Sequence, residues 1–199
     1  MEQKVVYFRR IVQVSFAILV AAVTFFISSR TAQAYVLFPW KWSTSSAVYD
    51  PHTMSATWIT IASDGRTAWN NVSPSPWNIS RNDTSANDVT YAPIDGAGGT
   101  LGGTGLYCSG VYCSVAGQTV TSAGMIFDNA ENWHTSSNCM VPANKLDARS
   151  NSTHEFGHFS TLNHSGVAAA TMWGGLAPGN CNQRSLETDD INGLNAQWP

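Results

Sequence analysis

The sequence has 199 residues, of which 12% are charged, and its formal net charge is -3. This length suits one domain with a hydrophobic core and is short for two. Because the charge balance is slightly acidic and provides no basic surface, we do not expect a nucleic-acid partner.

The N-terminus has the three parts of a secretory signal peptide. Three basic residues within the first ten precede an apolar run over residues 11–27, and Ala32-Gln33-Ala34 follows it. This pattern predicts cleavage after Ala34, so that residues 1–34 are removed and residues 35–199 form the exported domain. The run has about 17 residues, near the lower limit for a membrane span, so an uncleaved membrane anchor is the alternative. We expect a secreted, extracellular monomer that does not contact the membrane after cleavage.

The first half of the exported domain shows mostly strand signals. Apolar residues at helical spacing predict one amphipathic helix from about Ser55 to Asn71, slightly weakened by Gly65. The glycine-rich stretch Gly96–Gly117 is expected to be a long surface loop. Short strands are predicted at four places, near residues 47–49, 77–80, 89–92 and 119–128.

Two more helices are predicted in the second half. One is expected to begin near Asp147, whose side chain suits a helix cap, and to continue through residue 158. The other is expected to begin near Ser185. Strands followed by helices, without alternation of the two, predict an α+β domain with three helices.

The four cysteines all lie beyond the predicted signal peptide, where an oxidising environment favours pairing. Three connectivities exist for four cysteines. We favour Cys108–Cys113, which closes a tight loop, and Cys139–Cys181, which joins segments on either side of the second helix. A cysteine-rich zinc site is the alternative, but the chain has no CxxC spacing to support it.

The segment from His154 to His164 carries the strongest chemical signal. His154 and His158 are four residues apart, so on a helix both imidazoles lie on one face and can bind one ion. His164 is the expected third ligand, provided that the helix ends and the chain turns back. Glu155 points about 100° away from His154 and is placed to act on a water instead. The alternative interpretation is a helix whose histidines face solvent or cap its end.

Three imidazoles and one water make an open zinc site. The predicted chemistry is peptide hydrolysis, in which Glu155 takes a proton from a zinc-bound water and returns it to the leaving amine. No serine, cysteine or threonine nucleophile is required.

These motifs resemble the metzincin peptidases, and among them the matrixin family. The pattern HExGHxxGxxH matches at every position named in it except one, where Thr161 replaces the second glycine. Met172, eight residues beyond His164, resembles the methionine of the Met-turn, which packs beneath the zinc. The last predicted helix also matches the matrixin pattern, at Leu186, Asp189, Asp190, Ile191, Gly193, Leu194 and Trp198.

The resemblance implies a metzincin fold, with a twisted mixed sheet that has an antiparallel edge strand. A protein or peptide substrate would bind in extended conformation along the edge strand, here assigned to Gly124–Asp128. The segment between Met172 and Cys181 would form a wall of a side-chain pocket. The resemblance also implies that either Asp189 or Asp190 is buried and meets a charged N-terminus.

Two departures from the family pattern matter. Glycine suits the turn before the third histidine because it tolerates positive φ, whereas a β-branched residue there is strained by about 1 kcal/mol or more. We therefore expect either that the turn around Thr161 is built differently or that His164 is held less well. The stretch Gly96–Gly117 has no histidines for a structural zinc, and Asp95 with Asp128 is not enough for calcium. One catalytic zinc is the predicted cofactor.

The sequence thus predicts a secreted zinc metalloendopeptidase. A non-catalytic secreted binding protein of the same fold is the first alternative, supported by Thr161 and opposed by the intact Glu155. An amidase or other hydrolase acting on the cell envelope is the second alternative.

Overall fold

The computed structural model describes residues 34–199, so the predicted signal peptide lies outside the described residues except for Ala34. The α+β class and the three helices are confirmed. Within residues 34–199 the helices are α1 (Ala56–Asn70), α2 (Ala148–Phe159) and α3 (Thr188–Gln197), with a 3-10 helix at Asn182–Arg184. None of the helices within residues 34–199 is long and apolar enough to cross a membrane.

The described residues also form twelve short strands, most of them in small pairs. They are β1 (Val36–Leu37), β2 (Lys41–Trp42), β3 (Ser46–Tyr49), β4 (Asn78–Arg81), β5 (Val89–Ala92), β6 (Gly102–Cys108), β7 (Val111–Tyr112), β8 (Thr119–Val120), β9 (Ser122–Asp128), β10 (Trp133–His134), β11 (Leu146–Asp147) and β12 (Leu162–Asn163).

Helix α1 packs closely against α2 through the position that weakens it. A Cβ atom at Gly65 would lie within 2.7 Å of the backbone of Ser152, so only glycine allows this approach. The Ser152 hydroxyl donates to the carbonyl of Ile61 at 3.0 Å, and the Trp69 indole donates to the carbonyl of Thr153 at 2.7 Å. The low helix propensity of Gly65 is therefore offset by the close packing of α1 against α2.

Helix α2 is largely enclosed by the other elements of residues 34–199, and ten of its twelve residues are buried. Asp147 caps it as predicted, because its carboxylate accepts from the backbone N–H of Ser150 at 2.8 Å. Arg184 forms an ion pair with the same carboxylate. Helix α3 begins at Thr188, three residues later than predicted, because Asp190 accepts from the N–H of Glu187 at 2.9 Å and fixes the start there.

The central sheet is mixed, with the order β5-β9-β6-β7. Strand β9 runs parallel to β5 and antiparallel to β6. A parallel bridge between Asp50 and Asp88 continues the sheet towards the pair β3-β4. Strand β6 is antiparallel to both of its neighbours, β9 and β7, and so runs opposite to the other three strands of this sheet.

Two expectations about this sheet are wrong. Gly96–Gly117 is not a loop throughout, since β6 and β7 form within it and Cys108–Cys113 closes their hairpin. Gly124–Asp128 is not an edge strand, since β9 pairs with a strand on each side. Both errors have the same cause. Strand β6 is rich in glycine and lacks the apolar alternation that marks a strand, so the sequence did not predict it. Its backbone nevertheless pairs with β9 from Gly102 to Tyr107, which makes β9 an inner strand.

Candidate active site

Helix α2 and the turn after it bring three imidazoles together. His154 and His158 lie one helical turn apart, and the chain turns back after Phe159 so that His164 faces them. One nitrogen atom from each ring lies within 4.8 Å of those from the other two, and His158 Nε2 lies 3.2 Å from His164 Nε2. We call α2 with the turn to His164 the helical wall of the site.

Backbone carbonyls fix the orientation of the two helical rings. His154 Nδ1 lies 2.8 Å from the carbonyl oxygen of Thr171, and His158 Nδ1 lies 2.8 Å from that of Leu162. Because a carbonyl only accepts, each Nδ1 carries the proton and donates it, which leaves the Nε2 lone pair for a metal. Burial also lowers the pKa of His154 to about 4 and that of His158 to about 3, so both rings are neutral near pH 7.

This donor set fits zinc. Two nitrogens bound at about 2.0–2.1 Å to one tetrahedral ion lie about 3.3 Å apart, close to the separation of the His158 and His164 nitrogens. Neutral imidazole is the form that binds metal. His154, His158 and His164 can therefore hold the ion that the sequence predicts. The expectation that no structural zinc or calcium is present stays a prediction.

Glu155 lies beside the imidazoles in a nearly closed environment. Glu155 is only 4% exposed, and this burial raises the pKa of its carboxyl group to about 7. The Thr104 hydroxyl of β6 donates to Glu155 Oε2 at 2.8 Å, which opposes part of that rise. A carboxyl group in this state can both accept and return a proton near neutral pH.

The turn that carries His164 keeps the left-handed conformation that glycine would favour. Thr161 has φ 68° and is fully buried, so the strain predicted for a β-branched residue is present. Thr161 adopts the positive φ expected of glycine at this position, and His164 reaches the other two rings. Gln197 of α3 donates to Thr161 Oγ1 at 2.7 Å, and that hydroxyl donates to the carbonyl of Ser160 at 2.6 Å. These hydrogen bonds hold the strained residue in place.

Met172, which the sequence assigns to a Met-turn, is buried and packs against Gly157 of α2. A Cβ atom at Gly157 would overlap the Met172 sulfur and lie 2.6 Å from the Trp69 ring, so glycine is required there. Asp190 is buried and accepts from the backbone N–H groups of Thr171 at 2.8 Å and Met172 at 3.0 Å. The burial of one of the two aspartates is thus confirmed, and its contact with a charged N-terminus stays a prediction.

The site opens into a cleft of about 470 Å³. Its other side is the segment Gly102–Thr104 of β6, which we call the strand wall. Beyond the histidines, the cleft is bounded by the segment 173–176, and Gln183 holds that segment. The Gln183 amide nitrogen lies 3.2–3.4 Å from the carbonyl oxygens of Ala170, Thr171, Trp173 and Gly175.

Sequence reasoning missed three residues of this arrangement: Thr104, Gln183 and the role of Asp190 in holding the Met-turn. Thr104 acts across 51 positions of sequence, and no local pattern marks a threonine within a run of glycines. The two disulfides are Cys108–Cys113 and Cys139–Cys181, the pairing that the sequence favoured. The second bridge ties Cys181, five residues beyond the cleft segment 173–176, to the chain that precedes α2.

Comparison with known proteins agrees with the site. The family model of the matrixins matches residues 69–198, which include the three histidines, Glu155 and Met172. No curated protein matches the sequence. The match covers more than half of the chain. Matrixins are metallopeptidases, and membership of this family implies a zinc ion. The chain belongs to the matrixin family.

Proposed function

We propose that the protein is a secreted zinc-dependent endopeptidase. The observation that carries this proposal is the convergence of three imidazole nitrogens within 4.8 Å, next to a buried carboxyl group, at an open cleft. Family membership supports the same reaction class. A binding site alone would not need an acid–base group such as Glu155 at this place.

His154, His158 and His164 would hold the ion. When bound, zinc acidifies a water molecule and polarises the carbonyl group of the substrate. Glu155 takes the proton of the attacking water and then returns it to the amine of the departing peptide. The buried position of Glu155 excludes bulk water from that proton. The carbonyls of Thr171 and Leu162 keep the helical rings in the productive tautomer.

The strand wall provides a place for an extended substrate. Among the described residues, no strand pairs with the outer edge of Gly102–Thr104, while the inner edge pairs with β9. A peptide can therefore add to β6 as a further strand through main-chain hydrogen bonds. This replaces the sequence-based assignment of the substrate strand to Gly124–Asp128.

Export is part of the proposal and rests on the N-terminal sequence and the paired cysteines. The mature N-terminus is then Tyr35. Sequencing the N-terminus of protein recovered from culture medium tests this step. Protein that stays with the membrane and begins before residue 34 would support the uncleaved anchor instead.

The two alternatives are distinguished by activity. Thr161 no longer favours a non-catalytic binding protein, because the turn places His164 beside the other rings. A cell-envelope amidase would share the same catalytic groups, so a substrate screen separates it from a peptidase.

The test is hydrolysis of casein and of a peptide library by the purified protein, with and without a chelator. We expect activity to vanish with the chelator and to return with added zinc. Glu155→Ala should lower activity by orders of magnitude while zinc remains bound at one ion per chain. Cleavage that resists the chelator, or a Glu155→Ala variant as active as the parent, would contradict the proposed function.

A further inference from the structure

A hydroxyl group of the strand wall lies against the carboxyl group of Glu155. Thr104 Oγ1 is 2.8 Å from Glu155 Oε2 and 3.1 Å from the main-chain carbonyl oxygen of the same residue. A carboxylate and a carbonyl both accept, so the threonine hydroxyl is the donor. Hydrogen bonds to charged groups are among the stronger ones in proteins.

The register of β6 brings this hydroxyl to the helix. Thr104 pairs with Met125 of β9, and its side chain faces α2, whereas the flanking glycines carry no side chain. A Cβ atom at Gly102 would lie 3.3 Å from Glu155 Oε1 and 2.7 Å from Asn151 Nδ2. The strand therefore contacts one carboxyl oxygen and leaves space at the other.

This arrangement distinguishes the two oxygens of Glu155. Oε2 is held by Thr104, while Oε1 accepts no hydrogen bond from any residue within 34–199 that the structure shows. Oε1 is thus the oxygen left for the attacking water. When Oε1 takes the proton of that water, Oε2 becomes the carbonyl oxygen of the acid and still accepts from Thr104. The hydroxyl consequently keeps an acceptor before and after proton transfer.

We propose that Thr104 is a positioning residue of the reaction, which fixes the rotation of the Glu155 carboxyl group so that Oε1 meets the water. The proposal rests on the proposed function, since it assigns a role to a neighbour of the proposed base. Without the hydroxyl, the carboxyl group can rotate about its last bond and lose the geometry that proton transfer requires.

Thr104→Val tests the proposal because valine has nearly the same shape and no hydroxyl. We expect kcat to fall by about 10- to 100-fold, with KM changed by less than about twofold and zinc still bound at one ion per chain. Thr104→Ser retains the hydroxyl and should recover most of the lost kcat. Thr90→Val is the matched control, since Thr90 lies on β5 of the same sheet and donates only to the carbonyl of Met125.

The outcomes separate the two proposals. If Thr104→Val keeps the parental kcat while Glu155→Gln is inactive, the positioning role is wrong and the proposed function stands. If Thr104→Ser is as slow as Thr104→Val, the loss comes from packing and the positioning role is again wrong. If Glu155→Gln keeps full activity, the proposed function is wrong and the role of Thr104 falls with it.

Discussion

The two walls of the cleft contribute in opposite ways. The helical wall supplies side chains: three imidazoles and the carboxyl group of Glu155. The strand wall supplies a backbone edge, the space above Gly102 and one hydroxyl group, that of Thr104. Side chains that act together on a helix leave a spacing in the sequence, whereas a backbone edge leaves none. The comparison teaches that a sequence pattern can reveal the side chains of the helical wall. It does not reveal the backbone edge and the open space that the strand wall provides.

The largest expected effect tests the helical wall. His158→Ala removes one of three imidazoles, so zinc should no longer bind at one ion per chain, and activity should fall below about a thousandth of the parent's. Metal analysis and peptide hydrolysis measure both. His52→Ala is the matched control, because His52 is exposed and contacts Asp50, far from the cleft in sequence. Full activity in His158→Ala would show that the helical wall does not supply the metal-binding imidazoles.

The next effect tests whether the strand wall contributes space. Gly102→Ala places a methyl group against Glu155 and Asn151, so kcat should fall by roughly 10- to 100-fold while zinc stays bound. Gly124→Ala on the adjacent strand is the control, since the nearest atom to its new Cβ would be a Tyr107 ring carbon at 3.9 Å. Equal activities of the two variants would mean that the space above Gly102 has no catalytic role.

A glycine of the helical wall should behave differently, because it serves packing. Gly157→Ala pushes on Met172 and on the Trp69 ring, and we expect a loss of about 1–3 kcal/mol in the free energy of unfolding despite the better helix propensity of alanine. Thermal or urea unfolding measures it. Gly166→Ala, whose new Cβ would have its nearest contact at 3.9 Å, should change stability by less than about 0.5 kcal/mol.

The turn between the helix and His164 gives the smallest net effect, in Thr161→Gly, once it is compared with Thr161→Val. Thr161→Val keeps the left-handed strain and loses the hydrogen bonds with Gln197 and Ser160, so it should cost about 1–3 kcal/mol. Thr161→Gly loses the same bonds but also the strain, and we expect a net change within about 1 kcal/mol. A glycine variant as unstable as the valine variant would show that strain at Thr161 is negligible.

The sequence predicted most of what depends on local patterns. The helix expected from Ser55 to Asn71 is present from Ala56 to Asn70, and Asp147 caps α2 as expected. His154 and His158 were predicted to share one helix face because their spacing matches the helical repeat, and the position of His164 was predicted from a turn directly after that helix. These features need only neighbours in the chain, so a single sequence is sufficient to infer them.

The remainder depends on partners that are distant in sequence. Strand β6 is stabilised by β9 and not by its own glycines, so its residues gave no strand signal. The contact of Gln197 with Thr161 spans 36 positions, and no rule of spacing connects them. The same holds for Asp190 and the backbone of Met172, which are brought together only when α3 packs against the Met-turn.

The bridge between Cys139 and Cys181 has a practical consequence for studying the protein. It ties the chain at Cys181, beyond the segment 173–176 that borders the cleft, to Cys139, while the amide of Gln183 holds that segment through the carbonyls of Trp173 and Gly175. A thiol reductant, which is a routine additive in protein buffers, would open that covalent anchor and would also compete for the proposed zinc ion. Purification and kinetic assays without reductant therefore preserve the shape of the cleft that substrates meet.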